Sequence, residues 1–109
     1  MNHGNNIPVQ TKSELLLRLQ INAGVIKSYG VNRLGIFGSF SRNEMNRDSD
    51  VDFIVDFNKE EKTYKNFIGL AYFLEEICGR KIELVTPQGL SKYIGPKILK
   101  STEYVALPA

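Results

Sequence analysis

Between Thr11 and Gly30 the apolar residues Leu16, Leu19, Ala23 and Ile26 recur at helical intervals and share one face. Thr11 and Glu14 have the T-x-x-E spacing of a capping box, and Gly30 stands where a helix stops. The pattern predicts a helix over 12–29. The period then changes. "RLGIF" at 33–37 is a short apolar run, as in a buried strand, and its Gly35 signals close backbone packing or a bulge. "VDFIVDF" at 51–57 alternates strictly: Val51, Phe53, Val55 and Phe57 face one way, and Asp50, Asp52, Ile54 and Asp56 the other. A charged loop, "NKEEK", leads to a second amphipathic helix at 63–79, with Phe67, Leu70, Ala71, Leu74 and Ile77 or Cys78 inward and Gly79 closing it. "RKIELVT" at 80–86 is a third strand, with Ile82 and Leu84 opposite Lys81, Glu83 and Val85. Pro87 ends it, and "PQGLSKYIGPKILKSTEYV" reads as one or two short helices, with Pro96 in a first turn.

Helices alternating with strands predict an α+β domain: a small sheet with helices packed on it. The connection between the first two strands, about twelve residues, fits either a parallel crossover or a long antiparallel link. The Asn-rich residues 1–10 are expected to form a flexible tail ahead of a single domain at 11–109.

Composition narrows the class without naming a chemistry. The chain has 109 residues, enough for one domain with a modest core, and no apolar run approaches the ~18 residues of a membrane span. Its net charge of +2 lacks the dense basic patch of a nucleic-acid binder. The single cysteine, Cys78, has no partner for an internal disulfide and sits at an apolar helical position, which reads as a buried thiol in a reducing, cytoplasmic compartment. His3 falls in the polar tail and is expected to be chemically silent. No signal-peptide pattern opens the chain.

The candidate chemistry lies in "GSFSRNEMNRDSDVDF", from Gly38 to Phe53. Strand geometry places the Asp50 and Asp52 carboxylates on one side, roughly 7 Å apart. Like charges this close repel unless a cation lies between them, and Mg²⁺ prefers carboxylate oxygens completed by water and phosphate. An isolated D-x-D is more often just a solvated acidic face. The upstream turn adds weight: Gly38 permits close approach, Ser39 can cap the following turn, and Arg42 and Arg47 can pair with phosphate oxygens. Glu83 would join the two aspartates if the third strand lies beside the second; otherwise it points to solvent near Lys81 or Lys97. Together these are the parts for metal-assisted phosphoryl or nucleotidyl transfer.

The segment resembles the G-S-x(10)-D-x-D signature of the nucleotidyltransferase superfamily, with Gly38, Ser39, ten intervening residues, Asp50 and Asp52. The likeness covers about 11–107 and is closest to the minimal nucleotidyltransferases, the MNT proteins. It implies a nucleotidyltransferase fold with a small mixed sheet. It implies that Gly38 and Ser39 hold the phosphates of ATP and that Asp50, Asp52 and Glu83 bind two Mg²⁺ ions and serve catalysis, beside the nucleotide role already read for Arg42 and Arg47. It further implies transfer of AMP to a tyrosine of a HEPN-domain toxin, the chain acting as antitoxin, with a homodimer as another possible assembly. Two positions depart from the family pattern: Asn43 where Gly is common, and Glu83 where Asp is usual. The second leaves open an alternative: a weak or inactive module that neutralises a HEPN-type partner by contact, through aromatics such as Tyr64, Phe67, Tyr72, Phe73, Tyr93 and Tyr104. A direct nucleic-acid substrate is disfavoured, since no RNA-binding appendage is present.

Overall fold

Thr11 caps the first helix as its spacing predicts, accepting a hydrogen bond from Glu14 N at 3.0 Å. The Glu14 carboxylate reaches back to Gln10 N, at 2.7 Å, one residue before the cap. The structure, a computed structural model, describes residues 7–108. His3 and the first part of the expected tail lie outside the described residues. Residues 7–10 are not a loose lead-in: Val9 is fully buried and its N–H donates to Cys78 O at 3.0 Å.

The single helix expected over 12–29 is two helices, α1 (Lys12–Ile21) and α2 (Ala23–Ser28). The break falls at Asn22, whose side-chain amide donates to Arg18 O at 2.8 Å. That local bond competes with the helical ladder, a habit of asparagine. Leu15 rather than Leu16 takes the fully buried place, alongside Leu19, Ala23 and Ile26. Strand β1 (Val31–Phe37) starts two residues earlier than expected and runs straight into a one-turn helix, α3 (Gly38–Ser41). Strand β2 (Val51–Phe57) matches its alternation, and helix α4 (Tyr64–Cys78) is capped by Thr63 and closed by Gly79 in the left-handed region. Strand β3 (Ile82–Val85) is shorter than expected, and a 3₁₀ turn follows at Pro87–Gly89. Helix α5 (Gly95–Ser101) precedes a short fourth strand, β4 (Glu103–Tyr104), where continued helix was expected.

The sheet order is β3-β2-β1-β4. β1 and β2 are antiparallel, which settles the open alternative, while β2 and β3 run parallel through α4. β4 pairs antiparallel with the free edge of β1. One face of the sheet carries Leu34, Ile36, Val51, Phe53 and Val55 into a core shared with Leu15, Leu19 and Ile26 of α1 and α2 and Leu70 and Leu74 of α4. Cys78 is buried there, and burial pushes its thiol up to about 12.

The other face is partly roofed at its β1 edge. Gly35 leaves room for Thr102 and Tyr104; a Cβ there would meet Thr102 Cγ2 at 2.5 Å. Ile54, expected on the polar face, is buried as well. Arg33 stacks on the Tyr104 ring at 4.0 Å and pairs with Asp56 at 3.0 Å. The remaining carboxylates of this face, Asp52 and Glu83, are left toward the start of β2. Among the described residues no helix is long and apolar enough to cross a membrane.

Candidate active site

Asp52 pairs with Phe37 at the end of β1 on one side and with Glu83 of β3 on the other. The parallel β2–β3 register therefore brings Glu83 beside Asp52, the condition on which its inclusion depended. The two side chains stand side by side across the strands. The Asp52 pKa is raised from 3.8 to about 6, first by burial, then by the charges of Glu83 and Asp50, against a lowering by Arg42. Asp50 precedes the strand and is exposed, with no hydrogen bond among the described residues. Three metal-donor side chains are not gathered into a finished cluster among the described residues. What exists is a pair of carboxylates on adjacent strands, with a third in electrostatic reach. A donor set made only of carboxylates suits a hard divalent cation.

Gly38 turns the chain at the end of β1. Its φ of 72° is in the left-handed region, and a Cβ there would collide with the Asp52 carboxylate. The turn and the acidic pair are thus in direct contact. Ser39 does not cap the short helix as expected: Phe37 occupies the cap position, and Ser39 lies within α3. The Ser39 hydroxyl, half-buried, makes no hydrogen bond among the described residues. Asn43 adopts φ 59°, the backbone form that glycine otherwise supplies.

The two arginines separate. Arg42 bonds Glu44 at 2.9 Å and is near enough to Asp52 to lower its pKa. Arg47 lines a shallow groove of about 240 Å³ with Asp50, Arg80 and Lys81, and Gly38 and Ser39 are not part of it. Of the aromatics, Phe67 and Phe73 pack on the core, whereas Tyr64, Tyr72 and Tyr93 are exposed. Arg80 was not anticipated. Its Nε donates to Val9 O at 2.7 Å and its Nη1 to Asn46 O at 3.0 Å and Ser49 O at 2.8 Å. The only hint in the sequence is a cation placed between a helix-closing glycine and an apolar strand.

Known proteins share the family and the fold. The family model of the nucleotidyltransferase domain matches residues 20–105. The protein adenylyltransferase MntA of Thermococcus cleftensis is 39% identical over 77 residues, spanning 71% of this chain and 77% of the relative. A relative from Methanocaldococcus jannaschii, provisionally named a protein adenylyltransferase, is 34% identical over 96 residues, spanning 87% and 94%. A solved structure provisionally described as a minimal nucleotidyltransferase superposes with a TM-score of 0.74 at 26% identity, over 90% of this chain and 97% of that one. A toxin–antitoxin complex with AMP-PNP shares the fold at a TM-score of 0.61 and 17% identity, over 91% and 75%. The small mixed sheet, together with that family match and superposition, is that of the nucleotide-transferring class of domain. This chain belongs to the nucleotidyltransferase domain family, and the expected fold is borne out.

Proposed function

We propose that this nucleotidyltransferase moves AMP from ATP to a hydroxyl, that of a tyrosine, on a HEPN-type toxin partner and so acts as its antitoxin. The observation that carries the reading is the in-register pairing of Asp52 with Glu83, set against the Gly38 turn. The relatives named as protein adenylyltransferases support the choice of AMP and of a protein acceptor.

Asp50, Asp52 and Glu83 would hold Mg²⁺. A bound divalent ion neutralises phosphate charge and makes the acceptor oxygen a better nucleophile. The remaining work falls to the chain. The first-turn N–H groups of α3 and the Ser39 hydroxyl receive the phosphates, and Arg42 balances the charge of the departing pyrophosphate. Arg47, which lines the groove with Asp50, steers the nucleotide by charge. Asp52 acts in its ionised form. The acceptor oxygen bonds the α-phosphorus as the bond to the bridging oxygen of the β-phosphate breaks. The hydroxyl proton passes to a carboxylate of the cluster, and pyrophosphate leaves. Glu83 meets Asp52 across the strands despite its extra methylene, which favours turnover over a purely covering role.

The test is transfer of label from α-³²P-ATP to a co-purified HEPN-type partner. Labelling that requires Mg²⁺ and falls at least a hundredfold in Asp52→Asn is expected. A partner silenced without acquiring label would instead support neutralisation by contact.

A further inference from the structure

Asp50 belongs to no paired stretch of strand, yet its main chain is held on both sides. On the N-terminal side, the carbonyl of Ser49, which is the peptide leading into Asp50, accepts from Arg80 Nη1 at 2.8 Å. On the C-terminal side, Val51 N donates to Lys81 O at 3.1 Å. The two anchors are adjacent residues at the entry to β3. Arg80 does more than close one bond. The same Nη1 lies 3.0 Å from Asn46 O and 3.3 Å from Arg47 O, so one nitrogen gathers three carbonyls of the loop before Asp50. Its Nε holds Val9 O at 2.7 Å, and the guanidinium lies over the Phe40 ring of α3 at 5.1 Å.

Converging carbonyl dipoles repel one another unless a positive charge sits at their focus. Here the focus is a guanidinium. Lysine has the charge but lacks the flat fork that also reaches Val9 and stacks on Phe40. The loop's own bonds are short-range: Ser49 N to Asn46 O at 3.1 Å, Asn46 N to Ser49 Oγ at 2.9 Å and Asp48 N to Asn46 Oδ1 at 2.8 Å. Those shape the turn but do not fix it to the sheet. Arg80 is thus the link through which the lead-in at Val9, the one-turn helix carrying Ser39, and the loop carrying Asp50 are held to β3.

We infer that Arg80 is a positioning residue for Asp50, tethering the 46–49 loop so that the Asp50 carboxylate is held in reach of Asp52 and Glu83. The inference rests on the proposed metal–nucleotide reading of those carboxylates. The test uses the full chain with Mn²⁺ as the probe ion, in the wild type, Arg80→Lys and Arg80→Ala. Mn²⁺ affinity is read by electron paramagnetic resonance, and amide hydrogen exchange is followed across 46–51. Arg80→Lys is expected to weaken Mn²⁺ binding about tenfold, the lower range for removing a group that orients a metal ligand. Exchange across 46–49 should rise with it while that of Phe53–Val55 stays slow. Millimolar guanidinium, but not methylammonium, should restore Mn²⁺ affinity to Arg80→Ala, a rescue that general loss of stability would not allow. Wild-type affinity and wild-type loop exchange in Arg80→Lys overturn the inference. So does failure of guanidinium to rescue a folded Arg80→Ala. If the wild type binds no Mn²⁺, the metal reading itself falls, and the exchange rates still judge the tether separately.

Discussion

At the scale of the residue, Asp52 has the clearest consequence. Its folded pKa, about 6, lies above the ordinary aspartate value of 3.8, so the folded state holds that proton more tightly than the unfolded chain does. Its contribution to metal-free stability is therefore fullest below about pH 4, is lost as pH rises through about 6, and is level above that. The full shift would amount to about 3 kcal/mol, and solvent screening of this partly exposed group lowers that to about 1–2 kcal/mol. Asp52→Asn is therefore expected to stabilise the metal-free protein by about 1–2 kcal/mol at pH 8 and by almost nothing at pH 4, as read by urea denaturation. Divalent-ion affinity should fall below about pH 6, where protons compete for the same oxygens; an affinity unchanged at pH 5 would remove Asp52 from the ligand set. Gly38, Ser39, Asp50 and Asp52 are legible in the sequence because their types and spacing are the signal. Arg80 was not legible, because its partners are main-chain carbonyls from two separate segments, and carbonyls have no letter in the sequence.

At the scale of the element, most boundaries follow from period and caps. Thr11, Thr63 and Gly79 each do at a helix end what their side chain or its absence allows. The exceptions have local causes. Asn22 divides the first helix through its own side-chain bond. β4 exists because β1 offers an unpaired edge and Gly35 offers the space for Thr102 and Tyr104 to approach. Gly35→Ala is accordingly expected to destabilise the domain by about 1–3 kcal/mol, the usual cost of overpacking. Hydrogen exchange at Tyr104 and Val105 should quicken more than exchange in β2. Equal effects on both strands would mean that Gly35 does not set the position of β4.

At the scale of the whole molecule, the sheet order decides whether there is a site at all. Were β3 to pair one residue out of step with β2, Glu83 would turn to the opposite face, since strand side chains alternate. With the observed register the domain should respond to its ligands as one unit. Saturating ATP with Mg²⁺, at about a hundred times the dissociation constant, should stabilise it by about 2.7 kcal/mol. That corresponds to a rise in Tm on the order of 10 °C for a domain this small. The double variant Asp50→Asn with Asp52→Asn should show no such rise. A rise with ATP alone, or one retained in the double variant, would separate nucleotide binding from the acidic pair.

The sequence by itself determined the helices and strands whose residues repeat at 3.6 or 2, the burial of Cys78, and the Gly-Ser turn and aspartate pair, because each of these is local. Tertiary structure alone decided that β1 and β2 run antiparallel and that Val9 joins the core. It also took Asp56 out of the acidic face by pairing it with Arg33. Above all it placed Glu83 at Asp52: they stand thirty-one positions apart in the chain, and only the hydrogen-bonded register of two parallel strands makes them neighbours.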